Sequence, residues 1–70
     1  MVIDFTKVKD FYVLLKSSNV IIIVSEGIDF NRDYVRFYNK TSTGFDYVVA
    51  TFYKYDIRKI ILGVDEIYHA

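Results

Sequence analysis

Residues 33–55 read DYVRFYNKTSTGFDYVVATFYKY. Two runs rich in aromatic and β-branched residues flank the polar stretch Thr41-Ser42-Thr43-Gly44, a pattern that predicts a β-hairpin. A four-residue loop fits a type I turn whose last residue takes positive φ, which glycine adopts at little steric cost. With Lys40 opposite Phe45, Tyr38 faces Tyr47, Phe37 faces Val48, Arg36 faces Val49, Val35 faces Ala50 and Tyr34 faces Thr51. Side chains alternate along a strand, so this register sorts the hairpin into two faces. One carries Val35, Phe37, Val48, Ala50 and Phe52 and is wholly apolar. The other carries Tyr34, Arg36, Tyr38, Tyr47, Val49, Thr51 and Tyr53.

Upstream of the hairpin, Phe5, Val8, Phe11, Tyr12 and Leu15 recur at three- and four-residue spacing. This predicts a helix from an Asp4 cap to about Lys16, ended by Ser17-Ser18-Asn19 with Asn19 in the left-handed region. Val20–Val24 is five consecutive β-branched residues and predicts a central strand buried on both faces. The connection 28–32 has room for a short edge strand. Asp29, Asn31 and Asp33 have the one-three-five spacing of a calcium loop. Tyr34 and Lys40 then stand where such a loop needs glycine and glutamate, so the segment reads as a polar connector. Downstream, Ile57, Ile60, Ile61, Val64, Ile67 and Tyr68 fit a helical stripe capped by Asp56. Heavy β-branching and Gly63 instead favour a strand from about Ile57 to Leu62 with a short extension after Gly63.

The expected fold is therefore a single α+β domain over 1–70. An N-terminal helix packs on a small antiparallel β-meander of three to five strands, either open or curled into an SH3- or Sm-like barrel. Seventy residues bury a modest fraction of their surface, and chains of this size lean on disulfides, metals, self-association or dense packing. Cysteine is absent and there is one histidine, which removes disulfides and Cys/His zinc sites. The 53% apolar and 19% aromatic share suits dense packing and self-association.

Nine basic and nine acidic side chains cancel, so no overall field draws the chain to nucleic acid or to membranes. The longest apolar run is too short to span a bilayer, and no signal-peptide pattern opens the sequence. The expected setting is cytoplasmic. The sequon Asn39-Lys40-Thr41 is then a chance match. Tryptophan, proline and glutamine are absent as well, while Ile, Val, Tyr, Phe, Lys and Asp are abundant. This bias is shared by small proteins of viruses and mobile elements.

Tyr53-Lys54-Tyr55-Asp56-Ile57, leading to Ile60, together with the expected order of helix and then sheet, resembles the second Sm motif of the Hfq family. The resemblance implies a helix, a five-stranded barrel, rings of subunits and RNA ligands. The family's glycine in a strongly bent second strand has no evident counterpart, and Tyr55-Asp56 stands where the family is basic.

No catalytic, cofactor or metal motif is present. Ser42 has no candidate base in sequence, His69 reads as a tail residue, and Asp29/Asp33 and Asp65/Glu66 read as solvated charges. The tyrosine–arginine face is the expected binding surface: Tyr34, Arg36, Tyr38, Tyr47, Val49, Thr51 and Tyr53. Tyrosine and arginine are the residue types enriched at interaction hot spots. The expected role is a non-catalytic protein–protein interaction protein, such as a viral or mobile-element modulator or inhibitor of a host protein. Its partner would be another protein, itself as a homodimer, or both. The alternatives are a single-stranded RNA- or DNA-binding module on the same face, aided by Arg32, Lys54 and Arg58, and a self-assembling structural subunit.

Overall fold

The structure, a computed structural model, describes residues 7–70. Seven strands follow one another: β1 (Lys9–Leu15), β2 (Val20–Ser25), β3 (Gly27–Phe30), β4 (Tyr34–Lys40), β5 (Asp46–Tyr53), β6 (Ile57–Leu62) and β7 (Asp65–His69). A 3₁₀ turn, Lys54–Asp56, separates β5 from β6. The strands form two antiparallel sheets, ordered β2-β1-β6-β7 and β3-β4-β5.

The α+β expectation is overturned. The described residues are nearly all β, and no N-terminal helix packs on the sheet. The Asp4 cap, Phe5 and Thr6 lie outside the described residues, but Lys9–Leu15, most of the rest of the expected helix, is β1. Its helical spacing was coincidental. Phe11 and Val13 are buried and Tyr12 between them is exposed, which is a period of two. β1 also pairs on both sides, with β2 and with β6, so its backbone is satisfied by strands. Aromatic and β-branched side chains suit that setting better than a helix. The five-stranded barrel with a leading helix is replaced by seven strands in two sheets.

Ser17-Ser18-Asn19 is accordingly a hairpin turn. Leu15 N–H donates to the Asn19 carbonyl at 2.9 Å, Ser18 N–H donates to the Leu15 carbonyl at 3.0 Å, and Ser18, not Asn19, has positive φ. The turn after β4 repeats this geometry. Thr41 N–H donates to the Phe45 carbonyl at 2.8 Å, Gly44 N–H donates to the Thr41 carbonyl at 3.0 Å, and Gly44 has φ +87°. The glycine thus plays the expected part, but Thr41 and Phe45 close the loop and Lys40 faces Asp46. The strand Ile57–Leu62, the turn at Gly63 and the extension β7 follow the strand reading of the C-terminal run.

The core is the space between the sheets. Phe11 and Val13 of β1, Val35 and Phe37 of β4, and Ile57 and Ile60 of β6 are fully enclosed. Phe37 meets Phe11 and Phe52 edge-on, with ring centroids 5.3 and 6.0 Å apart, a favoured arrangement of ring quadrupoles. Cross-strand pairs Val13–Ile60 and Leu15–Ile57 share the inner side because a bulge absorbs one residue of β6 between them.

The chain crosses from one sheet to the other at Glu26. Two buried polar side chains satisfy the backbone there. Ser25 Oγ donates to the Gly27 carbonyl at 3.0 Å, and Asn39 Oδ1 accepts from Glu26 N–H at 2.8 Å. An unpaired buried N–H is costly, so Asn39 is a structural residue at this corner. Its burial also withdraws the Asn39 sequon from the surface.

Candidate functional site

β4 supplies the centre of the site. Val35, Phe37 and Asn39 point into the core, which turns Tyr34, Arg36, Tyr38 and Lys40 outward. Across from them, β3 contributes Gly27 opposite Tyr38 and Asp29 opposite Arg36. β5 contributes Tyr53 opposite Tyr34, Thr51 opposite Arg36, Val48 opposite Tyr38 and Asp46 opposite Lys40.

Five of the seven expected site residues therefore share one face: Tyr34, Arg36, Tyr38, Thr51 and Tyr53. A bulge separates the other two. Phe37 faces Ala50 and Tyr38 faces Val48, so Val49 is the extra residue. Tyr47 then pairs with the inward-facing Asn39, and Val48 moves to the outer side, out of the apolar face expected for it. The remaining members of that apolar face, Val35, Phe37, Ala50 and Phe52, are core or core-packed.

The outer face is an ion-paired ladder. Arg36 Nη2 donates to Asp29 Oδ2 and, at 3.1 Å, to Asp46 Oδ2. Lys40 Nζ donates to Asp46 Oδ1 at 2.6 Å. Arg36 and Lys40 flank the Tyr38 ring, 5.7 and 5.6 Å from its centroid. These contacts act on the titrations. The hydrogen bond from Lys40 is the main influence holding the Asp46 carboxyl below its ordinary value. The hydrogen bond to Asp46 raises Lys40, and the one to Asp29 raises Arg36. Asp29 is thus a partner of Arg36, not a solvated connector residue.

Tyr38 lies across Gly27. A Cβ at position 27 would stand 2.5 Å from Tyr38 Cζ and Oη. The glycine leaves room for the ring, and the ring covers backbone that glycine leaves bare. At the far end of the sheet three tyrosines stay open. Tyr34, Tyr53 and Tyr55 are 40%, 55% and 64% exposed, and the Tyr53 and Tyr55 rings stack with centroids 5.3 Å apart. Tyr55 belongs to the 3₁₀ turn, which hydrogen bonds anchor at both ends. Lys54 N–H donates to the Asp33 carbonyl and Lys16 N–H donates to the Asp56 carbonyl, each at 2.9 Å.

A second surface was not expected from sequence. β2 is an edge strand, not a central one, and only its inner side packs. Val20, Ile22 and Val24 are exposed, beside Tyr12 of β1. His69, expected in a loose tail, ends β7, and its Nδ1 lies 2.8 Å from Glu66 Oε1. Among the described residues no group of three or more His, Cys, Asp or Glu side chains is placed to hold a metal ion. No helix among them is long and apolar enough to cross a membrane.

No family model, curated protein or solved structure matches this chain.

Proposed function

We propose that the chain is a non-catalytic binding module that docks a protein partner on the outer face of β3-β4-β5. The observation that carries this reading is the open group Tyr34, Tyr53 and Tyr55 at one end of a charge-balanced ladder. Tyrosine buries a large ring at small entropic cost and offers a hydroxyl for a polar rim. Thr51 and the outer edge of Arg36 continue the same surface. The biological form of the reading is a small cytoplasmic modulator or inhibitor of a larger host protein, encoded by a virus or mobile element. Chain size and composition support it.

Nucleic acid is the weaker occupant. Affinity for it rests largely on cations free to meet phosphates. Here Arg36 and Lys40 are already matched by Asp29 and Asp46. A phosphate at the centre of this face would have to displace carboxylates from both.

The test replaces Tyr34 and Tyr53 together with serine. Both side chains point outward, so the melting temperature should change little. Quantitative affinity capture with the unaltered chain should enrich a defined protein, and the double variant should reduce that enrichment at least about tenfold, as expected when anchor tyrosines are lost. Unchanged enrichment with the fold intact would sink the reading. Binding of labelled single-stranded oligonucleotides at low salt that disappears with the double variant would replace it with the nucleic-acid reading.

A further inference from the structure

Four strands lie at sheet edges: β2 and β7 in one sheet, β3 and β5 in the other. Exposed edges invite added strands, and proteins discourage this with short edges, charges and bulges. β3 is four residues long and carries Asp29. β5 carries Asp46 and the bulge at Val49. β7 carries Asp65, Glu66 and His69 and pairs with β6 through a bulge. β2 has none of these devices. Val20–Val24 contains no charge and no proline, and its register with β1 is unbroken. Among the described residues, no strand pairs with the outer edge of β2.

We propose that this edge is an interface with a second copy of the chain, paired antiparallel about a two-fold axis at Ile22. The occupant follows from the sequence of the strand itself. Val20-Ile21-Ile22-Ile23-Val24 reads the same in both directions. Antiparallel pairing centred on Ile22 sets Val20 against the partner's Val24, Ile21 against the partner's Ile23, and Ile22 against the partner's Ile22. Every cross-strand pair is then β-branched on β-branched, a favourable match. A two-fold contact requires such self-complementarity, because the same patch serves on both subunits. The edge carries no charge to select a foreign partner, and none that would repel its own copy.

The outer side chains of the edge are available for this contact. Val20, Ile22 and Val24 are 58%, 56% and 46% exposed, and they would continue the apolar side of one sheet into the next copy. Five paired residues run about 17 Å. Such a contact buries less than the about 800 Å² per partner of a standard interface. The dimer is therefore weak and concentration-dependent. It uses a different sheet from the proposed docking face, so each stands or falls without the other.

The chain has no cysteine, so introduced thiols report proximity cleanly. Position 22 meets itself across the axis, with Cα atoms about 4.5–5.5 Å apart in an antiparallel pair, inside the range a disulfide spans. Mild oxidation of the full chain carrying Ile22→Cys should give a disulfide-linked dimer. Val20→Cys alone should not, because its copies lie about 13 Å apart along the strands, whereas a mixture of Val20→Cys and Val24→Cys chains should cross-link to each other. Circular dichroism of the reduced variants checks the fold. Sedimentation of the unaltered chain should show a mass rising from 8.3 kDa toward twice that value with concentration, and Ile22→Lys should abolish the rise. Equal cross-linking by all three cysteine variants overturns the proposal. So does a mass fixed at the monomer, or one that grows past the dimer.

Discussion

Two outer surfaces back onto one core. The outer face of β3-β4-β5 is made of tyrosines and matched ion pairs. Arg36 has Asp29 and Asp46, Lys40 has Asp46, and Tyr38 has Gly27. The outer side of β2 and β1 is made of Val20, Ile22, Val24 and Tyr12. Both follow the same alternation along a strand, and both are solvent-facing. The difference shows that apolar character alone does not place a residue inside. Apolar residues make up 53% of the chain, yet only six apolar side chains are fully buried among the described residues. A chain this short has more apolar residues than interior positions, and the surplus lies on a surface.

The largest expected effect tests which side of a strand is which. Phe37→Ala should cost about 3–5 kcal/mol, since the ring is fully enclosed and in contact with Phe11 and Phe52. A domain of this size has about 4–10 kcal/mol in total, so most of the margin would go. Ile22→Thr also removes apolar surface, but from the outer side of β2, and should stay within about 0.5 kcal/mol. Urea midpoints of dilute samples measure both. Similar losses would mean that the outer side of β2 is packed and the contrast between the surfaces is false.

The hairpin was legible in sequence because alternation, β-branching and a turn glycine agree there. Val35, Phe37, Ala50 and Phe52 follow from that alternation alone. Gly63 and the β-branched run before it likewise revealed β6 and β7. The rest depended on things sequence does not display. The closing pair Thr41–Phe45 moved the register by one residue and the bulge at Val49 by one more, which is why Tyr47 and Val48 exchanged sides. β1 had helical spacing by coincidence, and only its two pairing partners decide the matter. Val20–Val24 was recognisable as a strand, but whether such a run sits at the centre or the edge is a property of the sheet. The match of Arg36 with Asp29 joins residues on neighbouring strands, and the expected register did not place β3 beside β4.

A smaller effect sharpens the contrast on the polar side. Gly27→Ala would place a methyl group against the far end of the Tyr38 ring, so the ring must swing off β3. The expected loss is about 1 kcal/mol. In a Tyr38→Ser background the clash is gone, and alanine should be neutral or mildly stabilising, because it restricts the unfolded chain more than glycine does. The sign change between backgrounds is the readout, since contacting residues couple. Equal losses in both would assign the effect to the backbone at Gly27 and detach it from the tyrosine.

The smallest effect is electrostatic and belongs to one surface only. The Asp46 carboxyl is held below its ordinary value, first by the hydrogen bond from Lys40. A depressed acid contributes stability above its unfolded pKa and loses it as pH falls through the folded value. Stability should therefore decline slightly on acidification below the usual carboxylate range. Lys40 is raised, chiefly by the same hydrogen bond. Its contribution is complete below its unfolded pKa and is lost as pH rises through the raised value. Asp46→Asn should flatten the acid arm and shrink the alkaline one, while Arg36 keeps Asp29. Both groups are solvent-facing, so added salt should reduce the effect further. Thermal melts across pH, at low and high salt, measure it. Ile22→Thr removes no charge and should leave the profile unchanged. A profile altered by Ile22→Thr but not by Asp46→Asn would show that the ladder on β3-β4-β5 does not hold its carboxylate in solution.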